Sequence, residues 1–454
     1  MIRFIKILIW LYLLLLVFEG ALRKWVLPSL AEPLLVVRDP VVIGIYICAL
    51  VAGVFPRNGF IAALGVFAAL SALFSVVAGQ SNLFVMLYGL RIDFLHVPLI
   101  WVMGRVLDRR DVERLALGVL ALAILMSLLM VKQFRSPVDA WINRGVGTDD
   151  NLQMYGADGR IRPPGFFAFI TGPMSFFPLA AACFFYFVTK PAAGRRLQWL
   201  FVLAGGAAIA MAMPVSISRG TMITTGLVGV AFVGCLFFSG LSAGGFLRFG
   251  AVTVILCLAL WFLPVFHEAR DAFMERWDTA AQQSAGDAWG SLTERVASGF
   301  TAPLATADRA PFFGYGIGVG SNVGARLLGG RMGFILGENE WMRTIQELGP
   351  LLGIAFIGFR CVLALVMFVH AWRALRRGRD TLPMLIWVAA APLIVLQQWG
   401  PPTMLGFAVF GGGLLMASLN VSALPVPDFS EEVEVEEKDI SELAQARRRM
   451  RGLA

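Results

Sequence analysis

Twelve apolar stretches, most of them long enough to cross a bilayer, constrain this chain more than any motif it carries. They lie near residues 4–18, 41–55, 60–78, 83–106, 115–131, 166–188, 197–216, 221–238, 249–266, 348–371, 382–398 and 403–419. About 20 apolar residues wound as an α-helix match a hydrocarbon core of ~30 Å. A helix also satisfies its own backbone N–H and C=O groups where no water can. The expected fold is therefore all-α, a polytopic integral membrane protein with about twelve transmembrane helices. With 58% hydrophobic and 15% charged residues among 454, the length does not signify two or three soluble domains.

The first stretch follows Arg3 and Lys6 and leads into VFEGALRKW. Bulky and charged residues stand where a cleavage site needs small ones, so the segment is expected to stay as a helix with its amino end in the cytoplasm. That choice puts the short basic connections on the cytoplasmic side: Arg57, the DRRDVER loop, Lys190 with Arg195 and Arg196, and WRALRRGRD. It leaves two long segments, 132–165 and 267–346, on the outer face of a bundle covering 1–423. Within the second, Phe273, Trp277, Ala280 and Ala281 share one helical face, and Trp289, Leu292, Val296 and Phe300 share another. Both read as amphipathic helices packed over the bundle mouth. Residues 424–454 change to acidic and then basic blocks and read as a charged cytoplasmic tail, so both termini are expected inside. Its RRRMR stretch is suited to anionic lipid.

The net charge of +8 is scattered between apolar runs, with no basic stripe carrying interleaved aromatics, which argues against nucleic acid as a partner. Cys48, Cys183, Cys235, Cys257 and Cys361 all fall inside apolar runs without paired spacing and read as small core residues. The three histidines pair with no other ligand type at helical spacing. Neither a metal nor a cofactor is expected.

Polar chemistry is concentrated between Arg309 and Gly353. Gly314, Gly316, Gly318 and Gly320 alternate there, ahead of Glu338, Asn339 and Glu340. Glycines allow the backbone to approach a ligand, and free N–H groups in such a loop can receive phosphate oxygens; a surface turn is the other reading. Ionisable groups near hydrocarbon are costly unless they serve or are paired, which directs attention to four further places. Arg160 and Arg162 stand in GRIRPPGFF at the outer mouth of a helix, and Arg219 stands in SISRG, a short outer connection. Arg91 and Asp93 interrupt the fourth stretch. They are two residues apart and cannot face each other, so each needs a partner on another helix or a substrate. Arg23 and Lys24 beside Trp25 read as an interfacial anchor, and Asp149 with Asp150 reads as a turn rather than a metal pair.

Several arginines on one face suit an oxyanion, because guanidinium binds phosphate oxygens through a two-pronged fork. Glu338, Glu340 and Glu347 supply candidate bases. Chemistry at an outer membrane face has no ATP, so the driving force must arrive with the substrate, as it does in a lipid-linked diphosphate sugar. The order RIRPPGFF, SISRG, PFFGYGIGVG and GENEWMRTIQELGPLLG resembles the O-antigen ligase and O-antigen polymerase superfamily of bacterial envelope glycosyltransferases, over about residues 18–419.

The resemblance implies an inner-membrane enzyme that takes an undecaprenyl-diphosphate-linked glycan and inverts its anomeric carbon without a metal. Its acceptor would be a glycan or glycolipid, with polysaccharide export or chain-length proteins as companions. By the same resemblance Arg162 and Arg219 hold the diphosphate. Arg91, Arg160, Arg309, Arg343, Asn339 and Glu340 are the expected further substrate contacts. Ligases of the family carry a histidine where this chain has Glu338, which becomes the expected general base. The missing histidine and the Arg309-to-Gly320 spacing favour a polymerase over a ligase. A glycan or lipid transporter is the reading from another class; it needs charges along a midplane path with broken helices.

Overall fold

The computed structural model describes residues 1–80, 82–146, 159–189, 196–238, 264–283, 310–328 and 339–420, with isolated positions between 247 and 307. All regular structure among these residues is helical. Nine segments of the described chain are long and apolar enough to cross a membrane: Ile2–Val26, Pro33–Val51, Gly59–Val77, Leu83–Val106, Arg109–Arg135, Thr171–Thr189, Gln198–Val215, Arg219–Phe238 and Glu340–Gly378. Two shorter apolar helices, Leu382–Val395 and Pro402–Ser418, follow. These eleven coincide with eleven of the twelve apolar stretches. Most of the twelfth, 249–266, lies outside the described residues, as do the tail and the amphipathic pattern at 289–300.

Helices are numbered in chain order. The first six are α1 Ile2–Ala21, α2 Asp39–Val51, α3 Gly59–Val77, α4 Leu83–Leu90, α5 Leu99–Val106 and α6 Arg109–Arg135. Then come α7 Thr171–Thr189, α8 Arg196–Val215, α9 Arg219–Phe238, α10 Pro264–Gln283 and α11 Asn322–Leu327. The last three are α12 Glu340–Gly378, α13 Leu382–Val395 and α14 Pro402–Ser418.

Polar side chains stitch the end of the bundle near Met1, here the proximal end. Asp108 caps α6 by accepting from Asp111 N at 2.9 Å, and Asp111 returns the bond to Asp108 N at 3.1 Å. This reciprocal box satisfies two donors that a helix start leaves open, and Lys6 pairs with both carboxylates. Arg109 forks onto Asp380 at 2.6 and 2.9 Å and donates to Ser418 O at 3.0 Å, tying α6 to the connection after α12 and to the last residue of α14. Among the described residues, the DRRDVER loop and the connection after α12 thus meet at this end through Arg109 and Asp380.

At the opposite, distal end the chain departs from straight spans. The stretch 83–106 is not one helix: Arg91–Leu95 form a wide π-type turn between α4 and α5, and such turns are frequent at functional sites. The last long span also breaks. Gly349 has φ 80° inside α12 and Pro350 follows, a combination that no continuous α-helix accepts. Residues twenty apart on a straight helix would stand ~30 Å apart, yet Glu340 Oε1 and Arg360 Nη1 are 2.8 Å apart. The short arm 340–348 therefore folds back along the long arm. Helices α13 and α14, of 14 and 17 residues, are ~21 and ~26 Å long, short of the bilayer core. Their connecting turn lies beside the folded arm, where Trp341 Nε1 donates to Val395 O at 2.7 Å.

The glycine loop 314–320 closes this end, and close approach of backbones explains its composition. Gly318 has φ 86°, and a Cβ there would collide with Val85 O and the backbone of Gly89 on α4. Gly318→Ala should therefore destabilise the protein by about 1–3 kcal/mol, the usual cost of a strained backbone position. Gly358→Ala, on α12 with open space around it, is the control and should be neutral or mildly stabilising. Melting temperatures in one detergent check both, and equal melting of the two variants would reject this role for Gly318.

Candidate functional site

Two of the expected site arginines, the substrate contact Arg160 and the clamp residue Arg219, are brought to one helix. Arg160 lies in the turn before α7. Its Nη1 donates to Phe134 O at 3.2 Å, and its guanidinium covers the Phe134 ring at 4.3 Å. Its Nη2 reaches Glu268 on α10 at 3.5 Å. Arg219 opens α9, and its guanidinium stands 6.0 Å from the ring centroid of Trp277, also on α10. Glu268 and Trp277 are ~13 Å apart along that helix. Helix α10 is amphipathic, with Ala269, Ala272 and Phe273 buried, so packing of its apolar face sets the distance between the two arginines.

The turn that delivers Arg219 is strained. Ile217 has φ 45°, a conformation that β-branched residues avoid and that costs of order 1–3 kcal/mol. Its side chain is fully buried, and Ser216 Oγ donates to Met213 O at 2.8 Å; these contacts hold the turn. Arg162 is half-buried and precedes Pro163 and Pro164, which force it into an extended conformation. Its Nε is buried without a hydrogen-bond partner among the described residues. Three guanidinium groups at one end of the bundle, with aromatic rings beside two of them, are suited to a multiply charged oxyanion.

The other expected site residues have protein partners. Arg343, Glu340 and Glu347 of α12 and Asp93 of the π-type turn form one cluster with Arg360, each at most 3% exposed. Arg343 donates to Asp93 Oδ1 at 2.9 Å, to both oxygens of Glu340 at 2.9 and 3.0 Å, and to Glu347 Oε2 at 2.6 Å. Arg360 completes Glu340 at 2.8 Å, donates to Ile394 O and Gln397 O, and lies 4.0 Å from the Trp399 ring centroid. Arg91 forks onto Asp39 at 2.5 and 3.0 Å and donates to Leu35 O at 2.8 Å, while His96 Nε2 lies 3.0 Å from Asp39 Oδ1. Arg91 and Asp93 thus reach different helices, as their spacing requires. Asn339 caps α12 by accepting from Trp341 N at 3.0 Å. A substrate would have to displace these bonds to use Arg91, Arg343 or Glu340.

The phosphate-cradle reading of the glycine loop is corrected by its hydrogen bonds. Tyr315 N donates to Gln346 O at 2.8 Å, Gly316 N to Glu347 O at 3.1 Å, Ile317 N to Ser75 Oγ at 2.9 Å and Gly320 N to Glu347 Oε1 at 2.7 Å. These N–H groups are committed to the folded arm of α12 and to α3. The loop holds the charged cluster closed and offers little to a phosphate. Glu338 and Arg309 lie outside the described residues, as do Asp149 and Asp150. Among the described residues no group of three or more His, Cys, Asp and Glu side chains is arranged to hold a metal ion.

No family model and no curated protein matches this chain.

Three buried groups escaped the sequence reading. Arg360 was hidden in the run 348–371, although an arginine inside an apolar span is itself the signal. Glu19 and Arg38 pair at 3.4 Å, and Arg38 also donates to Tyr12 Oη at 3.3 Å and to Pro402 O. Lys24, read as an interfacial anchor, is fully buried and donates to Gly165 O at 2.9 Å.

Proposed function

We propose that this chain is a membrane glycosyltransferase that polymerises undecaprenyl-diphosphate-linked oligosaccharide repeat units at its distal face. That face would be the periplasmic side of a bacterial inner membrane, with both termini in the cytoplasm. The observation that carries the reading is the gathering of Arg160 and Arg219 by α10, beside the turn that holds Arg162. The similarity of RIRPPGFF and SISRG to the O-antigen ligase and polymerase superfamily points the same way. In the proposed reaction an acceptor hydroxyl attacks the anomeric carbon from the side opposite the diphosphate. One C–O bond forms, the C–O bond to the diphosphate breaks, and the lipid diphosphate leaves. Arg162 and Arg219 offset the charge that develops on the leaving group. Glu338 takes the hydroxyl proton.

Reconstituted protein given a purified lipid-diphosphate repeat unit and no other acceptor should build a ladder of polymer. A ligase would leave that donor intact until a core glycolipid is supplied, then move the glycan in one step. Single-step transfer alone would replace the polymerase reading by the ligase reading.

A carrier of glycan or lipid is favoured by one feature, the broken span at Arg91–Leu95 with charges around it. Those charges are closed on one another and at most 9% exposed for Arg91, Asp93, Glu340, Arg343, Glu347 and Arg360. They brace helices instead of lining a wet path, which leaves the transferase as the better reading.

A further inference from the structure

We infer that Lys24, Trp25 and Arg162 form a seat for a diphosphate, a deepening of the transferase reading that adds two residues of the first span to its donor site. Lys24 is fully buried. Its ammonium has one hydrogen-bond acceptor, Gly165 O at 2.9 Å, and lies 4.3 Å from the centroid of the Trp25 ring. Among the described residues it has no carboxylate partner. Glu19, the acid nearest in sequence, reaches Arg23 and Arg38 at 3.5 and 3.4 Å. A buried ammonium costs several kcal/mol unless a counter-charge offsets it, and one carbonyl with one ring face does so only in part.

The groups around it lack acceptors as well. Among the described residues, Trp25 Nε1 and Arg162 Nε are both buried without a hydrogen-bond partner. Lys24 and Arg162 share the turn 160–165, and Trp25 adjoins Lys24 in the chain with its ring beneath the ammonium. Gly165 is the residue that Lys24 binds, and Arg162 lies within the same turn. Gln133 brackets Gly165, accepting from its N at 2.9 Å and donating to its O at 3.4 Å. Gln133 also donates to Ile142 O at 3.1 Å, next to Trp141, whose ring lies 5.7 Å from that of Trp25. Asn143 Oδ1 is buried without a donor too, but a neutral amide cannot balance the charge of Lys24.

A set of buried donors with surplus positive charge is complementary to an anion with several oxygens. Ammonium and guanidinium both bind phosphate strongly, and the indole N–H adds a directed donor. The two tryptophans stand at the end of an apolar span, the level at which aromatic side chains meet lipid headgroups. The fitting occupant is a diphosphate on a lipid.

The test uses purified full-length protein in nanodiscs of zwitterionic lipid, titrated with undecaprenyl diphosphate and separately with inorganic pyrophosphate. Wild type should bind the lipid diphosphate, and Lys24→Met should weaken it by at least about tenfold, the scale of a lost hydrogen bond to a charged group. Without ligand the Lys24→Met protein should melt at the wild-type temperature or above it, because an uncompensated buried charge has been removed. Trp25→Phe keeps the ring packing and should weaken binding about threefold to tenfold through the lost N–H donor, which provides a second reading if Lys24→Met fails to fold. Equal response to pyrophosphate would still support the seat and make the headgroup alone its occupant. Lowered melting of Lys24→Met with unchanged affinity would overturn the proposal and reduce Lys24 to a staple on Gly165, and so would a wild-type protein indifferent to both probes. Because neither probe carries sugar, bound diphosphate without polymer would reject only the transferase reading, and polymer without diphosphate binding by these residues would reject only the seat.

Discussion

On the proposed transferase reading, replacing Arg219 by alanine should lower polymer formation by about a hundredfold to a thousandfold, the scale of losing one preorganised donor to a developing oxyanion, while the protein still folds and inserts. The side chain opens α9 beside Trp277, is half-exposed, and belongs to neither of the buried charge clusters. Its loss therefore removes charge from the distal mouth without opening the core. Arg219→Lys keeps the charge and gives up the planar fork, so its activity should remain well below wild type. Polymer from cells with matched protein levels is the measurement. Near-normal polymer from the alanine variant would dispose of the arginine clamp and leave Ile217 with strain that serves no anion site.

Arg343→Met should cost about 3–5 kcal/mol of stability, the usual result of removing one partner from a buried ion pair. Arg343 bridges Asp93, Glu340 and Glu347. Without it three carboxylates share a buried site with Arg360 alone, and Arg360 reaches only Glu340 of the three. The contact between the π-type turn and α12 then becomes repulsive. Neutralising the stranded acids, Arg343→Met with Asp93→Asn and Glu347→Gln, should recover most of the loss, because groups in one network are not additive. Thermal melting of the purified variants decides the matter. Wild-type melting of Arg343→Met alone would show that the cluster does not hold the distal end together, and recovery in the triple variant would be meaningless.

The apolar runs were legible because lipid leaves a long hydrophobic segment one solution, a helix that satisfies its own backbone. The basic connections were legible for a related reason: unpaired charge is costly within hydrocarbon, so most of it collects between runs. The spacing of Arg91 and Asp93 excluded a mutual pair, but it could not name Asp39 and Arg343 as their partners. Those contacts join residues 52 and 250 positions apart, and no local pattern encodes such a meeting. The alternating glycines were visible and their purpose was not. A residue without Cβ permits close approach to a phosphate or to another backbone, and packing against Gly89 and the arm at Glu347 chose the backbone.

By itself the sequence determined that the chain is helical, where most of its helices apolar enough for a membrane lie, and that arginines collect beside particular helix ends. Composition and hydropathy act one segment at a time, and bilayer physics reads them directly. Only the tertiary structure decided which charges are paired. It alone showed Arg360 beneath Glu340, Lys24 buried against Gly165, and α10 holding Arg160 and Arg219 at one end. The physical reason is that the worth of a charge in low dielectric depends on what lies within a few ångströms of it, and those neighbours are set by how the helices pack.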